Sequence, residues 1–117
     1  MSSVTIGLPV ADLPAAVEWY RRVFGFGEPD LVPASTVVEF RLGPVWLQLS
    51  EEPPSRRGAG AVTLIGVADA GAERERLAGL GVEAGPLVHV PDAVDLFEFA
   101  DPDGNRLSCY SEAAAED

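Results

Sequence analysis

The chain has 117 residues, 47% of them hydrophobic, so it can build a core and is not a disordered chain. Its formal net charge is −11, which argues against nucleic acid, because phosphate binding needs clustered cations, and favours cationic or neutral partners. No apolar run approaches the ~20 residues of a membrane span.

Residues 4–10 alternate, with Val4, Ile6, Leu8 and Val10 on one face, which predicts a strand that tolerates Pro9 only near an end or edge. Asp12 suits an N-cap and Pro14 a first helical turn. Leu13, Val17, Tyr20 and Phe24 then fall at i, i+4, i+7 and i+11, an amphipathic stripe that Gly25 stops. Strands follow near residues 30–34, 36–42 and 44–50, the last two turned at Gly43-Pro44. The stretch "EEPPSRRGAGA" (51–61) is polar and rich in Pro and Gly, and reads as a linker. Beyond it come a strand over residues 61–67 and a helix over 70–80 stopped by Gly81. Strands near 82–90, 93–100 and 105–111 complete the chain. The second helix has a weak stripe (Leu77, Leu80), and its "ERER" run reads as a solvated face.

The halves match. "VAD" at 10–12 returns at 67–69, and each copy goes on to a Gly-apolar pair (Gly25-Phe26, Gly81-Val82), a Glu and a Pro. Each half is β-α-β-β-β. The expected organisation is a first module over residues 1–52, a linker over 53–60 and a second module over 61–117, within one structural domain. Charge is lopsided: residues 1–57 carry seven acids and five bases, residues 58–117 twelve and three. All eight bases are arginine, which excludes a lysine Schiff base. Cys109 is the only cysteine, so no intrachain disulfide forms and the expected compartment is the cytoplasm.

Three stretches carry a family likeness: "VADLPAAVEWYRRVFGF", "GVADAG" and "FEFADPDGNRLSCYSE". With the duplicated order, they make the chain resemble the vicinal oxygen chelate superfamily, the glyoxalase, bleomycin-resistance and extradiol-dioxygenase group. The "DPDGN" segment also has a reading of its own, since it puts Asp, Pro and Gly where a type I turn prefers them. An EF-hand loop is the rival reading of Asp101, Asp103, Asn105 and Glu112. It fails because Arg106 stands where a glycine is needed and the flanks read as strands. The resemblance implies an α+β fold: two tandem βαβββ modules, their curled mixed sheets forming a cleft, paired in a homodimer.

The resemblance also implies where a divalent metal would sit, on His, Glu or Gln side chains, two from each half. Carried over one at a time, the positions hold Thr5, Gln48, Val62 (or Ala61, with a one-residue shift) and Ser108. Only Gln48 can ligate. The sole histidine, His89, falls on a different strand. The expectation is a cleft without metal, cofactor or catalytic residue.

Strand alternation assigns the lining. Val45, Leu47 and Leu49 should pack on a helix, turning Trp46 and Gln48 into the cleft. Leu107 and Cys109 should be core, leaving Arg106, Ser108 and Tyr110 facing in. Val38, Phe40 and Leu42 should be core, with Val37, Glu39 and Arg41 opposite. Phe97 and Phe99 read as core, and Trp19 and Tyr20 as packing. The candidate ligand-binding residues are therefore Thr5, Glu39, Arg41, Trp46, Gln48, Val62, Ser108 and Tyr110. Plainer readings stand beside them: Trp46 and Tyr110 equally suit an interface, and Glu39 with Arg41 a surface ion pair worth ~0–1 kcal/mol.

Two functions compete. One is a binding protein like the drug-sequestering bleomycin-resistance members, holding an amphipathic, cationic small molecule. The other is a metal-dependent lyase, isomerase or dioxygenase with atypical ligands, for which Glu39, Gln48 and Glu98 are the only assembly at hand.

Overall fold

An aspartate starts each helix. In the computed structural model, which describes residues 4–57 and 62–113, Asp12 Oδ1 accepts the N–H of Ala15 at 3.1 Å and Asp69 Oδ1 that of Ala72 at 3.1 Å. Both aspartates have extended backbone, so each satisfies an N–H that the helix cannot satisfy itself. The repeated "VAD" is thus a repeated strand exit and helix cap.

In the first half, β1 (Val4–Val10) leads into α1 (Leu13–Phe24), and β2 (Leu31–Ala34), β3 (Val37–Leu42) and β4 (Val45–Glu51) follow. The sheet order is β1-β4-β3-β2, with β1 parallel to β4 and the other pairs antiparallel. Leu42 opposite Val45 leaves a two-residue turn, and its first residue, Gly43, takes φ +60°. Glycine is the residue that reaches this angle without strain.

The helix buries Leu13, Ala16, Tyr20 and Val23. The expected stripe ran through Val17 and Phe24 instead, and both are only half-buried. Phe24 lies in an aromatic row: it stacks on Tyr20 (5.6 Å between centroids) and Phe26 (5.5 Å), and Phe26 stacks on Phe40 (4.7 Å). Below the helix, Leu8, Val10, Val38, Phe40, Leu47 and Leu49 are buried. Each such side chain contributes roughly 1.5–3 kcal/mol by leaving water.

The second half repeats the plan with β5 (Thr63–Gly66), α2 (Ala70–Gly79), β6 (Val88–His89), β7 (Val94–Ala100) and β8 (Arg106–Glu112), in sheet order β5-β8-β7-β6. Helix α2 closes in a Schellman motif, with Val82 N–H on the Leu77 carbonyl and Gly81 N–H on that of Ala78, both 3.0 Å. Phe97, Phe99, Leu107 and Cys109 are buried as expected. The strand expected over residues 82–90 is corrected to the two residues of β6 and one isolated bridge, Ala84 to Phe99. Pro86 lies between them and has no N–H to give a ladder.

By contacts, the described chain divides into one unit of residues 4–57 with 102–105, and another of 62–101 with 106–113. The Asp-Pro-Asp-Gly-Asn turn explains that grouping. Asp103 accepts Ala11 N–H at 2.9 Å and meets Arg57 at 3.7 Å, and Asn105 Nδ2 donates to the Pro9 carbonyl at 2.9 Å. The fold is α+β, two βαβββ modules each with one mixed four-stranded sheet. None of the described helices is long and apolar enough to cross a membrane.

Candidate functional site

Each sheet has a face turned away from its helix, and strand register fixes which side chains share it. On the first sheet Thr5 lies opposite Trp46, which lies opposite Arg41; Gly7 lies opposite Gln48, which lies opposite Glu39. These two adjacent rows bring together five of the eight expected residues: Thr5, Glu39, Arg41, Trp46 and Gln48.

Polar contacts run along the rows. Gln48 Nε2 donates to Glu39 Oε2 at 3.1 Å. Arg41 Cζ stands 5.9 Å from the centroid of the Trp46 ring, and its Nε donates to the Gly43 carbonyl at 3.2 Å. Glu39 and Arg41 therefore take cross-strand partners, although a surface ion pair between them was one expectation. Directly opposite residues are ~4.5–5.5 Å apart at Cβ, closer than residues two apart along one strand. Trp46, Gln48 and Glu39 are half-buried, whereas Thr5 and Arg41 are exposed.

The second sheet divides the remaining three. Tyr110 lies on the outward face, 40% exposed, opposite both Gly66 and Leu96. Its ring lies across Gly66, where an added Cβ would meet the hydroxyl at 3.3 Å. Ser108, two residues earlier, is 1% exposed, and its hydroxyl donates to the Phe97 carbonyl at 3.1 Å. Val62 sits just before β5, half-buried and outside any strand. Its alternative, Ala61, lies outside the described residues. Glu98 and Arg106 form an exposed ion pair at 3.4 Å on this same face.

The donor set does not fit a divalent metal. Thr5 offers a neutral hydroxyl, Val62 nothing, and Ser108 a hydroxyl already committed to a carbonyl; Gln48 alone offers an oxygen suited to ligation. Among the described residues, no three His, Cys, Asp or Glu side chains group as metal ligands. His89 meets Asp95, with Nδ1 and Oδ1 2.5 Å apart, a pairing across β6 and β7 that sequence spacing did not reveal. Cys109 is 1% exposed, and burial pushes its thiol up to about 11, helped by Glu73 and opposed by Arg76. It is no nucleophile near neutral pH.

A hollow of about 160 Å³ lies beside the first turn of α1, lined by Ala11, Asp12, Ala15, Ala16, Pro102 and Asp103. Sites for drug-sized ligands run from ~300 Å³ upward, so the outward sheet face is the better candidate.

Comparison with known proteins places this arrangement. The family model described as the Glyoxalase/Bleomycin resistance protein/Dioxygenase superfamily matches residues 3–108. A solved glyoxalase/bleomycin resistance protein from Catenulispora acidiphila DSM 44928 is similar at 28% identity and TM-score 0.78, over 95% of this chain and 98% of that one. TnmS3, an antibiotic binding protein from Streptomyces sp. CB03234, is similar in fold at 23% identity and TM-score 0.81, over 97% and 98%. A lactoylglutathione lyase from Agrobacterium tumefaciens shares the fold at 20% identity and TM-score 0.76, over 92% and 91%. Among curated proteins no match was found.

Proposed function

From the premise that the chain belongs to the Glyoxalase/Bleomycin resistance protein/Dioxygenase superfamily, we propose that it is a metal-free binding protein for an amphipathic, cationic small molecule. The observation that carries this reading is the outward face of the first sheet. There an indole, an amide and a carboxylate stand side by side where the resemblance would put metal chemistry, and they are not a metal's ligands. Trp46 supplies a stacking surface, Gln48 a neutral hydrogen-bonding group, and Glu39 a counter-charge already held in place by Gln48. Tyr110 presents an exposed ring on the second unit's own sheet, apart from this face. Ser108 contributes nothing direct, because its hydroxyl is buried and bonded to Phe97.

The overall charge of −11 supports a cationic ligand, since an acidic surface raises the local concentration of cations. A protein of the same fold, TnmS3, is an antibiotic binding protein, which supports a small-molecule role here. We place the protein in the cytoplasm, on its single buried cysteine. We also propose a homodimer, because Leu31, Val32, Leu64, Leu87 and Val88 are each at least 44% exposed in one copy, apolar area that pairing would cover. Light scattering at micromolar concentration checks the pairing: a monomer would refute it. Calorimetric titration of planar aromatic cations into wild type and Trp46→Ala checks the binding, and equal affinities would refute it.

A further inference from the structure

Resting on the binding reading above, we propose that Arg41 is the specificity-determining residue of this face, an internal occupant that a planar cation must displace from Trp46. The geometry points to it directly. The Arg41 guanidinium is itself a planar cation, and it stands 5.9 Å from the Trp46 ring centroid, within the range at which a cation is attracted to an aromatic face. One side-chain hydrogen bond holds it there, and a second bond fixes the backbone beneath it. The backbone N–H of Arg41 donates to Asp30 at 2.8 Å and its Nε to the Gly43 carbonyl at 3.2 Å. Gly43 is in turn fixed by the φ +60° turn that joins β3 to β4.

Arg41 is exposed, so moving it away breaks no core contact. Its place on the ring shows what the ring accepts: a flat, delocalised positive group. A ligand of that class has to outcompete a tethered rival, which sets a threshold that weak cations do not pass. Glu39, one row away, then lies beside the incoming charge.

The test is a double-mutant cycle read by calorimetry with ethidium, a planar aromatic cation. Arg41→Ala should bind ethidium about two- to fivefold more tightly than wild type, the worth of one exposed cation–ring contact. Arg56→Ala removes the same charge from the turn that follows β4 in the same unit, outside the two rows of this face, where the Arg56 side chain is 76% exposed, and should change affinity by less than about twofold because an exposed charge is screened by salt. In a Trp46→Ala background the gain from Arg41→Ala should vanish. If the gain persists there, Arg41 acts through charge alone and the inference is overturned. It is overturned equally if Arg41→Ala leaves affinity unchanged while Trp46→Ala still weakens it, an outcome that spares the binding reading. Absence of ethidium binding to both wild type and Arg41→Ala at millimolar concentration would overturn both.

Discussion

The hydroxyl of Ser111 accepts the backbone N–H of Ala70 at 2.8 Å, in the buried interior of the second unit. Ala70 is the first residue of α2, so this N–H is one of those the helix leaves free. The first half solves the same problem with a different residue: Glu51 Oε2 accepts Leu13 N–H, the first of α1, at 3.0 Å. Each helix is therefore capped twice, once by its own aspartate and once by the strand running parallel to its entry strand. The duplication preserved the architecture of the contact while the side chain that makes it changed. Helix α2 depends more on this contact, because it buries only Ala70 and Leu77 whereas α1 buries four side chains.

Removing the hydroxyl tests that dependence. Ser111→Ala leaves a buried N–H unsatisfied, which costs ~1–3 kcal/mol. Urea unfolding should show a lower midpoint at unchanged slope. Glu51→Gln keeps an acceptor at the more exposed first cap and should cost less than about 1 kcal/mol.

Strand alternation and the cap-and-stop residues made most of this fold legible. Asp12 and Gly25 bound α1, Gly81 ends α2, and Leu47 and Leu49 of β4 and Phe97 and Phe99 of β7 are buried where alternation puts them, although Val45 at the start of β4 is only half-buried. What alternation does not carry is depth. Ser108 points to the same side as Arg106 and Tyr110, yet it is buried. Its side chain is short, while its ladder neighbours Leu64 and Glu98 are long and stand 65% exposed in the case of Leu64. Partner choice was hidden for a similar reason. Glu39 and Arg41 are neighbours along the chain, but register gives them Gln48 and Trp46, and register is decided by pairing across strands. The same holds for His89 and Asp95.

Metal content provides the next check. Thr5, Gln48, Val62 and Ser108 offer one suitable ligand oxygen among them, so protein purified without a metal-binding tag should carry well under one Zn, Ni, Fe or Mn per chain by elemental analysis. Micromolar metal should leave Tm unchanged, because specific binding to the folded state raises stability by RT ln(1 + [L]/Kd). A stoichiometric metal or a metal-dependent rise in Tm would refute the metal-free reading.

Cys109 gives a pH-dependent prediction. Burial raises its thiol from the ordinary 9.0 to about 11, so the folded protein holds this proton more tightly than the unfolded chain does. The associated stability is fully present below pH 9 and is lost as pH rises from about 9 through about 11. Labelling with a thiol reagent at pH 8 should be slow in the native protein and fast in denaturant. Rapid native labelling would show that Cys109 is reached from solvent.

Ligand binding itself should depend on the outward face of the first sheet and on salt. Trp46→Ala should weaken binding of the best planar cation about tenfold or more, the behaviour of an aromatic anchor. Glu39→Gln should weaken a cationic ligand but leave a neutral analogue of the same shape unaffected, since it removes charge and keeps the hydrogen-bonding outline. Glu75→Gln on the exposed face of α2 removes the same charge from the second unit and should change neither. Raising salt from low to ~0.5 M should weaken the cation alone, because exposed charges are screened over a shorter distance as salt rises. If Glu39→Gln and Glu75→Gln behaved alike, attraction would come from the net charge of −11 and not from a carboxylate placed beside the indole.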